Sequence, residues 1–168
     1  MDSVEFIYDY HSLDADTLSI DQRRVNNLLY EFKEGVCDEE IKDKVLQKLK
    51  KVIDSNTDGR LAVCFVPASK LEMTVERYTE LASFINQNLS GIAYLNTLSL
   101  SPDFDEFIDE RRRITCRFPE RIKGKTVVFI DMFYNTGNSY KEVVDILKSN
   151  GASNTIGLYL ARVVRKPS

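Results

Sequence analysis

The sequence predicts an α/β domain. We expect a mainly parallel sheet flanked by helices over residues 58–168, with an N-terminal helical addition over residues 1–57 packed on that core. Three observations carry this reading. "LAVCFV", Leu61 to Val66, and "TVVFID", Thr126 to Asp131, are near-continuous apolar runs of strand length, as expected of strands covered on both faces. Helical patterns alternate with such runs, and alternation of that kind builds parallel sheets with helices on both sides. Finally, two of the strand ends are polar: "PAS" follows Val66 and "DMFYNTGNS" follows Ile130. Sites in open parallel sheets lie beyond such carboxyl ends.

Taken in order, "LSIDQRRVNNLLYEF" puts Val25, Leu28, Leu29 and Phe32 on one helical face, and Gly35 marks its end. In "DEEIKDKVLQKLKKVID", Asp38 is the expected N-cap and Ile41, Val45, Leu49, Val52 and Ile53 recur at helical spacing. Asp58-Gly59 centres a turn. After the first strand, "TVERYTELASFINQNL" predicts a helix capped by Thr74, with Val75, Tyr78, Leu81, Ala82 and Ile85 as its inner stripe. "GIAYLN" is a second short strand, and Ser99 to Phe118 is charged and weakly patterned, reading as a loop, short helix or flap. Lys123-Gly124 turns into the next strand. A helix from about Asn138 to Ser149 buries Tyr140, Val143, Val144 and Leu147, Gly151 caps it, and "TIGLYLA" is the last strand.

A net charge of −3 and a pI near 5.3 give no overall electrostatic footprint for wrapping nucleic acid, while leaving a local basic patch open. Cys37, Cys64 and Cys116 have no metal-ligand spacing and one histidine, His11, to join them, which argues against zinc and fits a reduced, cytoplasmic setting. "MDSVEFIYDY" carries acids where a signal peptide needs a basic end, and no apolar window approaches the roughly 20 residues that cross a bilayer. No membrane partner is expected.

The chemistry concentrates at Asp131, Asn135, Thr136, Gly137, Asn138 and Ser139. A short loop that leaves a parallel strand and opens a helix exposes unpaired N–H groups backed by the positive end of the helix dipole. Gly137 lets an anion approach the backbone, and the Thr136 and Ser139 hydroxyls add donors, so the stretch reads as a phosphate cradle without a lysine. A plain capping turn uses the same residues. Asp131, at the strand end, would face outward where a carboxylate accepts from ribose hydroxyls.

On these residues the stretch "VVFIDMFYNTGNS" resembles the phosphoribosyl-pyrophosphate motif of the type I phosphoribosyltransferases. The similarity runs from about Leu61 to Arg162, and the texture is closest to ComF-like members, with a "VP" strand end, Arg77 near the next helix start, and a terminal "LAR". The resemblance implies a Rossmann-like three-layer fold. It implies a 5'-phosphate on Asn135 to Ser139, a ribose hydroxyl on Asp131, and pyrophosphate near the backbone of Ala68, Ser69 and Lys70. It also implies Mg²⁺ near Asp131, and displacement of pyrophosphate by a nitrogen nucleophile. Relatives of this texture occur in bacterial DNA uptake, nucleotide salvage and phage-defence operons.

The chain departs from the motif in two places. Met132 replaces the second acid, and since hydrogen bonds to charged partners contribute about 1.5–3 kcal/mol, ribose binding should weaken by about one to two powers of ten. Asn135 stands where some purine-salvage relatives carry an aspartate base, and an amide takes no proton at neutral pH. Three readings follow: a phosphoribosyltransferase-like enzyme with altered chemistry, a sensor of phosphoribosyl pyrophosphate or a nucleotide that drives a partner protein or a homodimer, and an interaction module docking through its N-terminal helices. Arg111, Arg112, Arg113 and Arg117 in the flap read as charge balance for "SPDFDEFIDE" or as a clamp for an anion, nucleic acid included.

Overall fold

A computed structural model of the chain describes residues 3–12, 15–56, 60–101 and 114–165. The turn expected at Asp58-Gly59 and the flap arginines Arg111, Arg112 and Arg113 lie outside the described residues. The chain is α/β, with a five-stranded, wholly parallel sheet in the order β1-β7-β6-β2-β3. These strands are β1 (Ser3–His11), β2 (Leu61–Phe65), β3 (Ala93–Tyr94), β6 (Thr126–Tyr134) and β7 (Asn154–Val164). A separate antiparallel hairpin pairs β4 (Leu98–Leu100) with β5 (Ile114–Cys116).

The first strand corrects the expectation of a purely helical N-terminus. In "SVEFIYDYH" the apolar and aromatic Val4, Phe6, Tyr8 and Tyr10 alternate with Glu5, Ile7 and Asp9, the period of a strand, and β1 joins the sheet beside β7. Helices α1 (Ile20–Lys33) and α2 (Glu39–Ser55) follow as the spacing predicts. Ser19 and Gln22 form a reciprocal capping box at α1, and Asp38 accepts from the Glu40 N–H at α2, so both ends satisfy donors that a helix start leaves unpaired. Tyr8 holds the strand to both helices: its hydroxyl donates to Glu40 Oε2 at 2.7 Å, and Arg24 donates to the same oxygen at 2.8 Å. The Tyr8 hydrogen bond and the Arg24 guanidinium hold the Glu40 carboxyl below its ordinary range.

Two clusters fill the two faces of the sheet. One takes Val25, Leu29 and Phe32 from α1, Ile41, Val45 and Leu49 from α2, and Tyr78, Leu81 and Ile85 from α3 (Leu71–Leu89), against Val63, Phe65, Val128, Ile130 and Met132. The N-terminal residues therefore share the core of the α/β part. The other cluster places α4 (Asn138–Ser149), through Val143, Val144 and Leu147, and the hairpin, through Leu98 and Ile114, against Ala62, Cys64, Val127 and Phe129. Two expected inner positions point outward instead: Val75 is 44% exposed and Ile53 36%.

The connections locate the site. From β2 the chain passes through α3 on one face to β3; from the neighbouring β6 it passes through α4 on the other face to β7. The two paths diverge between β2 and β6, and ligands in open parallel sheets bind at such a divergence, outside the carboxyl ends. Among the described residues no helix is long and apolar enough to cross a membrane.

The thiols follow their burial. Cys37 and Cys64 are buried, which pushes each up to about 12, while Cys116 is half-buried and raised for the same reason. Thiolate is the reactive form, so iodoacetamide at mildly alkaline pH should label Cys116 first in the native protein and reach Cys37 and Cys64 only on unfolding. Peptide mass spectrometry over a labelling time course checks this. Early labelling of Cys64 would contradict it.

Candidate functional site

The loop after β6 carries the expected cradle, but the strand before it is longer than predicted. β6 continues through Met132, Phe133 and Tyr134, so Asp131 lies inside the strand, level with Tyr159, and is 8% exposed. Its Oδ1 accepts from the adjacent Met132 N–H at 2.7 Å. The expected position, at the strand tip, is therefore corrected to one inside the strand: phenylalanine and tyrosine favour strand and carry the ladder past Asp131 to Tyr134. Met132 is 3% exposed and belongs to the cluster under α1, α2 and α3. Asp131, the residue that would hold the Mg²⁺ implied by the resemblance, is buried within the strand, with Oδ1 engaged by the Met132 N–H. Among the described residues no group of three or more His, Cys, Asp or Glu side chains could hold a metal ion.

Asn135 and Thr136 are exposed on the loop, and Gly137 is the N-cap of α4 with φ 85°, in the left-handed region that glycine enters freely. No side chain caps α4. The Asn138 N–H reaches Thr136 Oγ1 only at 3.4 Å, a long contact, so the helix opens with weakly engaged donors. A cavity of about 60 Å³ lies against Asn135, Thr136, Gly137 and Ser139, with Tyr134 and Tyr140 behind them. Asn138 is exposed and lies outside its lining. The hollow is small, with room for a few waters or a small anion and not for a whole nucleotide.

Beneath the cradle the rings of Tyr134, Tyr159 and Phe6 pack edge to face, with Tyr134 centroids 5.2 Å from Tyr159 and 5.1 Å from Phe6. This base fixes the Tyr134 ring, whose hydroxyl would lie 2.8 Å from a Cβ built at Gly137. Arg165, just past β7, donates from Nη2 to Asn135 Oδ1 at 2.9 Å. Sequence reasoning missed this guanidinium, because the strand pairing that brings residue 165 beside residue 135 spans 30 positions.

The second expected loop is arranged differently. The Ala68 N–H donates to Thr74 Oγ1 at 2.9 Å, and that hydroxyl donates to the Lys70 carbonyl at 3.1 Å. Thr74 is thus not the N-cap of α3; Lys70 holds that position without a side-chain bond, and Thr74 locks the turn from inside the helix. The Ala68 amide is not free to meet a pyrophosphate. Ser69 and Lys70 are exposed, and neither lines the adjoining cavity of about 160 Å³. The walls of that cavity are largely apolar, from Pro67, Ala68, Leu71, Leu95 and Leu98, with Arg117 contributing the one cation among the described residues. Arg117 is the flap arginine that lies within the described residues, and Arg77 lines neither cavity.

The structure thus keeps Asn135, Thr136, Gly137 and Ser139 together at a phosphate-sized hollow. Ser69 and Lys70 do not line that hollow, and Asp131 is buried. A scan against protein-family models finds no match, and no curated protein matches the chain significantly.

Proposed function

We propose that this domain binds a phosphate monoester, a nucleotide or a phosphorylated sugar, through the loop Asn135 to Ser139, as a phosphoribosyltransferase-like module that senses its ligand more than it turns it over. The observation that carries this reading is the α4 start itself: a twelve-residue helix whose N-cap is a left-handed glycine, opening on a hollow of about 60 Å³ edged by the Thr136 and Ser139 hydroxyls. Such a terminus presents N–H groups and a positive dipole end to an anion. Its place beside the β2/β6 divergence supports the same reading. Arg165, held at 2.9 Å from Asn135, puts a guanidinium at the rim where a phosphate would dock.

Transfer chemistry has less support. Asp131, the acid that the resemblance assigns to ribose, is buried, Met132 stands in the core in place of a second acid, and the Ala68 amide is occupied by Thr74. An enzyme reading keeps one specific observation in its favour: the apolar cavity beside Ala68 and Arg117 could receive an acceptor ring next to a bound phosphoribosyl group.

Calorimetric titration with ribose 5-phosphate, AMP, GMP and phosphoribosyl pyrophosphate, with and without Mg²⁺, separates these. Binding of the monophosphates without pyrophosphate release supports the sensor, and release on adding a base supports the enzyme. Thr136→Ala should weaken binding about three- to tenfold, the range of one neutral hydrogen bond, and Arg165→Ala about tenfold or more, since its partner is charged. If none of the four compounds binds, or if both variants bind as the wild type does, the cradle reading fails.

A further inference from the structure

A third cavity, of about 340 Å³, lies between α1 and the carboxyl ends of β1 and β6. It occupies the opposite face of the sheet from the cradle, and Phe133 is the residue that lines both. Its volume falls at the lower end of the range for small-molecule sites.

The lining combines flat apolar walls with a few polar groups. Tyr10 and Phe133 meet edge to face with centroids 5.2 Å apart, and Leu29, 1% exposed, lies at the base. Helix α1 adds Asn26, Tyr30 and Lys33, which share one helical face at spacings of four and three residues. Three features of this face are unlike ordinary packing. Tyr30 leaves 66% of its surface in solvent although an apolar hollow lies beside it. Asn26 donates from Nδ2 to the His11 carbonyl at 3.1 Å, while its Oδ1 is buried with no donor among the described residues. Lys33 is exposed and forms no ion pair among the described residues.

We propose that this cavity binds a planar heteroaromatic anion. Its ring packs against Tyr10, Tyr30 and Phe133, which favour offset and edge-on aromatic contact. A ring N–H meets Asn26 Oδ1 once the amide turns toward the opening, and the acidic group rests on the Lys33 ammonium. The site is independent of the phosphate reading, because none of its polar groups belongs to the cradle.

Nuclear magnetic resonance titration of the ¹⁵N-labelled chain with indole-3-carboxylate tests this, since that probe carries a ring N–H and a carboxylate but no phosphate. At millimolar concentration it should shift the side-chain amide signals of Asn26 and Asn27, which inorganic phosphate should leave in place. Tyr30→Ala and Lys33→Gln, both on exposed side chains, should each weaken the probe about tenfold. Naphthalene-2-carboxylate, which lacks the N–H, should bind several-fold more weakly, and Thr136→Ala should change nothing. Unmoved Asn26 signals, wild-type affinity in both α1 variants, equal binding of the two probes, or loss of binding in Thr136→Ala would each overturn the assignment.

Discussion

Gly137→Val is expected to abolish phosphate-ester binding and to cost about 2–4 kcal/mol of stability. Two effects add. The backbone at φ 85° is left-handed, which costs an L-residue about 1–2 kcal/mol and a β-branched one more. The new Cβ would also stand 2.8 Å from the Tyr134 hydroxyl and 3.4 Å from the ring carbon that bears it. Tyr134 cannot retreat easily, because Phe6, Tyr159 and Tyr140 pack around its ring. The loop must shift instead, carrying the first N–H groups of α4 away from the hollow. Urea denaturation reads the stability and calorimetry reads the binding. A companion set separates strain from clash: Gly137→Ala suffers both, and adding Tyr134→Phe removes the clashing oxygen while leaving the φ strain. The double variant should therefore recover part of the lost stability, and a double variant no more stable than Gly137→Ala would show that Tyr134 does not define the cradle wall. If Gly137→Val bound ribose 5-phosphate normally, the α4 terminus would not be the binding site.

Much of the architecture was legible because local and global signals agree. The apolar runs at Leu61 and Thr126 became central strands buried on both faces, and the periodic faces of α1 and α2, Ile53 excepted, packed into the core. The misses have separate physical causes. In β1 the acids Glu5 and Asp9 interrupt the apolar signal of a strand, although both sit on the exposed positions of an edge strand and are paired there with Lys48 and Arg162. At Thr74 a residue with cap chemistry spends its hydroxyl one turn inside the helix, locking the Ala68–Lys70 loop, and residue type alone does not distinguish the two uses. In the site, Gly137 and its neighbouring hydroxyls could be read directly, since a turn of that kind is a local matter. The burial of Asp131 could not, because it depends on β6 continuing beside β7 for three more residues. Arg165 and the pocket under α1 are products of pairing between distant segments, which no local pattern encodes.

Met132→Asp shows how far that difference reaches. Judged on the motif alone, the change restores a missing acid and should tighten a ribose contact. The structure reverses the expectation. Met132 is 3% exposed, in the cluster with Val128, Ile130 and the side chains of α1, α2 and α3, while Asp131 alternates onto the face of Val127 and Phe129. A carboxyl at Met132 would enter an apolar core, and an uncompensated buried charge costs about 3–5 kcal/mol. Burial raises the pKa of such a group above its unfolded value of about 3.9. As pH rises from there, the unfolded chain releases its proton first, so stability falls until the folded pKa is passed and then levels off. Met132→Asp should accordingly be least destabilised in acid and most at neutral pH, with no gain in affinity for any phosphate ester. Met132→Leu, which keeps the volume, should stay within about 1.5 kcal/mol of the wild type at every pH. Urea denaturation of the three proteins at acidic and neutral pH reads both slopes. A stable Met132→Asp with tighter binding of ribose 5-phosphate would mean that this side chain faces the ligand after all, and β6 would then have to end at Asp131.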